Sequence, residues 1–126
     1  MVTRHTRIVD RAIARLKLKQ LRLLVAVAEF GSIQHAARAL HISQPAATKL
    51  VQDLELDFEA QLFERTNRGV IPTELGEALI RHAKLILAQV SNAAQELEDL
   101  TEGSSGRVVI GTLLAATPIL VPAAIE

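Results

Sequence analysis

The side chains able to do metal or nucleophilic chemistry are few: His5, His35, His41 and His82, with no cysteine anywhere. The histidines form no H-E-x-x-H pair or comparable ligand spacing, and no glycine-rich phosphate loop opens a helix. Without cysteine there is no disulfide, zinc–thiolate site or thiolate nucleophile. The histidines are therefore read as surface or helix-packing residues, and the chain as a binding protein, not an enzyme. Recognition chemistry is better supplied by Gln44, Pro45, Thr48, Lys49 and Gln52, whose spacing gathers them on one side of a helix. A Gln amide can pair with adenine and a Lys ammonium with guanine or phosphate, while Pro and the Thr methyl can touch a thymine methyl. No acid interrupts this face until Asp53. The plainer alternative is an ordinary solvated polar face. Arg65 and Arg68 flank a tight turn, from which guanidinium groups reach phosphate or a narrow minor groove; alone, such a pair merely aids solubility.

Those side chains need elements to position them. Leu21, Leu24, Val25, Val27 and Ala28 give a helix over 20–30 a broad apolar face, and Gly31 ends it. Ser32 caps a second helix, 33–40. His41 and Ile42 form a short connection, with His41 where many helix-turn-helix motifs have Gly. Ser43 caps a third helix to about Leu56, with Pro45 tolerated in its first turn. Ala36, Ala37 and Leu40 on one helix face Ala47, Leu50, Val51 and Leu54 on the next, and Ile42 plugs the turn, as a helix-turn-helix requires. The segment 63–73 reads as a hairpin turning at Asn67-Arg68-Gly69. Thr73 then caps a long helix, 74–102. A hinge follows at 103–106, then a strand at 107–111 and a helix opening at Thr117-Pro118.

Composition narrows the classes. A length of 126 residues fits one compact domain with an appendage, and 49% hydrophobic content is ample for a core. The only aromatics are Phe30, Phe58 and Phe63, which argues against single-strand binders that stack bases on aromatic platforms. Neutral overall charge hides an asymmetry: eleven Lys/Arg face seven Asp/Glu up to Thr73, and three face seven from Glu74 onward. A basic half joined to an acidic half suits a polyanion-binding module on a non-binding support. The basic leader, 1–18, lacks the apolar run of a secretory signal. Ile8, Ala12, Ile13 and Leu16 recur in it at helical spacing, leaving a core-packing helix and a mobile arm both open. Val108 to Ile125 is broken by Gly111, Pro118 and Pro122, so a membrane span is a poor reading.

In the long helix Leu79, Ile86, Ala93 and Leu100 recur every seven residues, with Ala83, Val90 and Leu97 four residues after the first three. This is heptad patterning for pairing with another helix, or else a face packed on the chain's own core.

The ordered set Gly31-Ser32-Ile33, Ala36-Ala37, Leu40-His41-Ile42-Ser43-Gln44-Pro45-Ala46, Leu54-Glu55, Leu62-Phe63-Glu64-Arg65 and Pro72-Thr73-Glu74-Leu75-Gly76 resembles LysR-type transcriptional regulators. The resemblance implies a mainly α fold: a winged helix-turn-helix with a two-stranded wing over 19–73 and a linker helix for dimerisation over 74–102. Residues 107–126 then resemble the start of a truncated α/β effector domain like the periplasmic binding proteins. By resemblance, Ser43, Gln44, Pro45, Thr48, Lys49 and Gln52 belong to the recognition helix, and Gln34, Arg65 and Arg68 stand at backbone-contact positions. The family implies a cytoplasmic bacterial protein bound to interrupted inverted repeats in promoter DNA as a homodimer or homotetramer. A small-molecule effector is expected in the C-terminal domain, no cofactor in this region, and RNA polymerase as a partner of the full-length protein. Two departures stand out. Glu59 replaces the usual Gly before the wing, so the exit from the recognition helix differs. Lys49 replaces the more frequent Arg and lacks its bidentate fork. A winged helix used for protein–protein contact and dimerising through the long helix is the alternative.

Overall fold

The computed structural model describes residues 3–103. Five helices and one hairpin follow in order: α1 (Arg4–Arg15), α2 (Leu18–Phe30), α3 (Ile33–Ala39), α4 (Gln44–Phe58), β1 (Phe63–Thr66), β2 (Gly69–Pro72) and α5 (Glu74–Glu102). The expected strand at 107–111 and helix from Thr117 lie outside the described residues. The chain divides after Leu87 into two units.

In the first unit α2, α3 and α4 pack against one another, and β2 packs on α2. Leu21, Leu23, Leu24, Val27, Leu54 and Leu62 are wholly buried at the centre. Each such side chain contributes about 1.5–3 kcal/mol relative to exposure. Ala36, Ala37 and Ala47 are buried where α3 and α4 meet, since only small side chains permit that approach. Gln20, just 3% exposed, is satisfied at both ends: its Oε1 accepts the Lys17 amide at 2.8 Å and its Nε2 donates to the Leu50 carbonyl at 3.2 Å. That bond explains why α2 starts at Leu18, two residues before its expected start.

The helix ends follow capping chemistry. Ser32 and Ser43 accept from the amides of His35 and Ala46, and Thr73 Oγ1 accepts from Gly76 at 3.0 Å. At the other ends, α3 and α4 both finish in Schellman motifs. The Ile42 amide donates to Ala37 and that of His41 to Arg38; equally, the Ala60 amide donates to Glu55 and that of Glu59 to Leu56. The pivotal residue of this motif takes a left-handed conformation and is usually Gly. Here it is His41 (φ 61°) and Glu59 (φ 52°).

The wing pairs Phe63 with Pro72 through Thr66 with Gly69, antiparallel, leaving Asn67 and Arg68 as a two-residue turn. It is anchored at both ends. The Val70 amide donates to the Gly31 carbonyl at 3.0 Å, an approach so close that a Cβ on Gly69 (φ 119°) would strike that carbonyl. At the base, Leu62 donates to Glu55 Oε2 and Thr73 donates to the Leu62 carbonyl. Gly76 lies against that same Leu62 carbonyl, where any side chain would collide.

The leader is helical. Thr3 Oγ1 accepts the Thr6 amide to start α1, and α1 packs on α4, with Leu16 against the core. Further along, α5 gives its first turns to the domain: Ile80 and Ala83 are buried, and Leu79 and Leu87 pack against the core. Ala83 is 0% exposed, so its expected place on a pairing seam is corrected: it is a core residue, and Leu79 is half-buried beside it. In the second unit Val90, Ala93, Leu97 and Leu100 are exposed.

Candidate nucleic-acid interface

The N-terminal end of α4 is built to face outward. Ser43, as cap, leaves Gln44 and Pro45 in the first turn, and all three are exposed. Pro45 has no amide to leave orphaned, and its fixed φ suits the first turn. On the opposite side Ala47, Val51 and Leu54 are buried. That registers Lys49 and Gln52 toward solvent and leaves Thr48 half-buried. The first turn contains no acid, so the positive end of the helix dipole meets an anion unopposed, although Ser43 Oγ and the Ser43 carbonyl already take the Ala46 and Ala47 amides.

Lys49 is held by Asp53, Nζ to Oδ2 at 3.1 Å, with the lysine side chain 74% exposed. Exposed pairs of this kind are worth only about 0–1 kcal/mol. The ammonium can therefore exchange its carboxylate for a phosphate or a guanine edge at little cost. Gln34 is exposed on the first turn of α3. Arg65 lies on β1 opposite Val70, and Arg68 lies in the turn; both are exposed and form no ion pair among the described residues. The turn is stiffened locally, because Thr66 Oγ1 accepts the Arg68 amide and donates to the Gly69 carbonyl, each at 3.1 Å. Thus Gln44, Pro45, Lys49 and Gln52 share the exposed side of one helix, while Gln34, Arg65 and Arg68 stand on other elements of the same unit. Among the described residues, no group of three or more His, Asp or Glu is placed to hold a metal ion, and no helix is long and apolar enough to cross a membrane.

A second charged cluster lies at the other end of α4. Glu59 receives Arg7 as a fork, Nε to Oε2 and Nη2 to Oε1, both 3.0 Å. Arg4 and Arg11 stand 3.5 and 3.4 Å from the same carboxylate. Arg11 Nη1 also donates to the Leu56 carbonyl at 2.9 Å, and Arg15 lies 3.6 Å from the buried Asp57. The hydrogen bond from Arg7, helped by the charges of Arg7, Arg11 and Arg4 and only partly opposed by burial, holds the Glu59 carboxyl below its ordinary range. Sequence reasoning missed this cluster. Its one visible signal was the run of arginines at 4, 7, 11 and 15, on one side of a helix.

Comparison with known proteins places this geometry. Residues 18–77 match the family model of bacterial regulatory helix-turn-helix proteins of the lysR family. The transcriptional regulator GbpR of Azospirillum brasilense is 49% identical over 110 residues, covering 86% of this chain and 32% of that protein. The nitrogen assimilation regulatory protein nac of Klebsiella aerogenes is 38% identical over 109 residues, covering 85% of this chain and 36% of its own length. The chain thus spans about a third of the length of the curated relatives it matches. Among solved structures, the DNA complex of the CbnR DNA-binding domain superposes with a TM-score of 0.65 at 35% identity, covering 68% of this chain and 99% of that one. The BenM DNA-binding domain bound to its catB site gives 0.67 at 33% identity, covering 70% and 99%. The winged helix-turn-helix, the hairpin after it and the long helix are shared features, and the chain belongs to the LysR family of bacterial regulators, of which it carries the DNA-binding domain.

Proposed function

We propose that this chain recognises interrupted inverted repeats in promoter DNA, inserting the N-terminal end of α4 into the major groove and resting the wing on the adjacent backbone or minor groove. The carrying observation is the exposed, acid-free first turn of α4, with Gln44, Pro45, Lys49 and Gln52 on its open side. Gln44 and Lys49 are the base readers; Ser43 and Thr48 orient them and contact phosphate. Gln34, Arg65 and Arg68 hold the backbone. Two copies pair through α5, using Ile86, Val90, Ala93, Leu97 and Leu100, and tetramers form in the full-length protein. That protein works in the cytoplasm, binds a small-molecule effector through its C-terminal domain and meets RNA polymerase at the promoter. The relatives are transcriptional regulators, which supports a binding role without catalysis.

The test is a gel shift on a duplex that the chain itself selects from a random pool, at two salt concentrations and with competitor DNA. The Gln44→Ala/Lys49→Ala variant should lose about 1–3 kcal/mol of discrimination per lost base contact, yet keep salt-sensitive, sequence-blind binding. Equal discrimination by both proteins would remove α4 as the reader. Absence of any salt-dependent DNA binding would favour a protein–protein module.

A further inference from the structure

The C-terminal end of α4 is electrostatically the wrong way round. Its last turns carry Asp53, Glu55 and Asp57, with no basic residue in the last turn, so negative charge is added to the negative end of the helix dipole. Glu59 then occupies the left-handed position of the Schellman motif at φ 52°, where a Cβ is disfavoured and Gly is the usual choice. Both features cost stability when α4 is considered alone. Both are answered by α1, which brings four arginines to this one end. Arg7 forks onto Glu59, Arg4 and Arg11 flank it, Arg15 faces Asp57, and Arg11 reaches the Leu56 carbonyl. That carbonyl already accepts the Glu59 amide at 3.2 Å, and Arg11 supplies its second hydrogen bond. The Glu59 side chain is only 29% exposed.

We propose that α1 is an intramolecular cationic cap for the recognition helix, and that Glu59 is the positioning residue that receives it. The four arginines are committed to α4 and do not serve as a DNA-binding arm. Because Glu59 and Ala60 form the corner leading to the wing, with Glu55 also holding the Leu62 amide, the clamp fixes the angle at which α4 leaves for the hairpin. The consequence for DNA binding rests on the function proposed above; the docking of α1 does not.

The test uses the whole 126-residue chain in two arms. Without DNA, amide hydrogen exchange is measured over α1. Protection is expected in the native chain and should be lost in Glu59→Gln and also in Glu59→Gly, although Gly relieves the left-handed backbone. The reversal Glu59→Arg should lose it too, and combining it with Arg7→Glu, which leaves Arg11 on the Leu56 carbonyl, should recover part of it, which generic destabilisation would not do. Equal exchange in the native chain and Glu59→Gln overturns the proposal, whether or not the chain binds DNA. In the second arm, binding to a short mixed-sequence duplex is followed against salt. Arg4→Gln/Arg7→Gln/Arg11→Gln should leave the slope of log K against log salt unchanged. Glu59→Gln should steepen it, by about 0.9 for each freed arginine that finds a phosphate. A shallower slope in the triple variant would show the arginines already on DNA, and would overturn the commitment to α4.

Discussion

His41 and Glu59 occupy equivalent positions, each the left-handed residue that closes a Schellman motif, and they should respond differently to the same substitution. His41 is exposed and its ring enters no ion pair among the described residues. His41→Gly therefore removes the left-handed penalty with nothing to lose, and should stabilise the domain by about 1 kcal/mol in urea unfolding. A loss of stability would mean that the imidazole makes a contact the fold depends on. Glu59→Gly gains the same backbone relief but forfeits Arg4, Arg7 and Arg11. The clamp also sets a pH dependence whose sign is determined. The Glu59 carboxyl is held below its ordinary value of 4.5, so its contribution is fully present above that pH and disappears as pH falls through the depressed value. The groups facing it from α1 are arginines, which stay charged throughout, so they do not move the transition. Following the Arg7 Nε–H resonance during acidification should show the fork opening only below pH 4.5. A midpoint at or above that value would contradict a carboxylate stabilised by arginine.

Elements were legible where their ends carry their own chemistry. Gly31, Ser32, Ser43 and Thr73 marked the helix boundaries to within two residues or so, and the Asn67-Arg68-Gly69 turn marked the wing, because caps and turns are local in sequence. The leader was not legible to the same degree. Its helical spacing was visible, but its partners are Asp57 and Glu59, more than forty residues away, and no periodicity reports a pairing of that range. The long helix was legible in kind and ambiguous in use. A heptad repeat describes a face packed on a partner and a face packed on the same domain equally well, and α5 does the second at Leu79, Ala83 and Leu87, whereas its apolar residues from Ala88 onward are exposed. This division makes a prediction specific to position. Val90→Glu/Leu97→Glu alters side chains that are 47% and 65% exposed; it should leave the melting curve of the winged domain unchanged while shifting sedimentation from dimer to monomer. Ala83→Glu buries a charge in a space with no room for one, and should unfold the domain. If Val90→Glu/Leu97→Glu still sediments as a dimer, the seam lies elsewhere on α5 or outside the described residues.

At the scale of the molecule, charge is divided as the tasks are. Basic residues predominate up to Thr73 and acidic ones from Glu74, so the DNA contact and the helix pairing proposed above would fall to different parts of one chain. Of the eleven basic residues in the first part, four are α1 arginines paired with Glu59 and Asp57 on or just after α4, which leaves seven others for phosphate contact. On the function proposed above, pairing adds to affinity, because a second module bound next to the first adds its contacts at high effective concentration. The monomeric Val90→Glu/Leu97→Glu variant tests this directly, since its reading face is untouched. On a duplex with one half-site it should bind as well as each module of the native chain. On a duplex with both half-sites in register the native chain should gain about 10²–10⁴-fold over the variant. Inserting half a helical turn between the half-sites should erase that gain by moving them to opposite sides of the duplex. Were the gain to survive that insertion, the two modules would be joined too loosely for the helix pair to set half-site spacing. Were it absent in both arrangements, one copy would be the functional unit, and the exposed apolar residues of α5 would serve another partner.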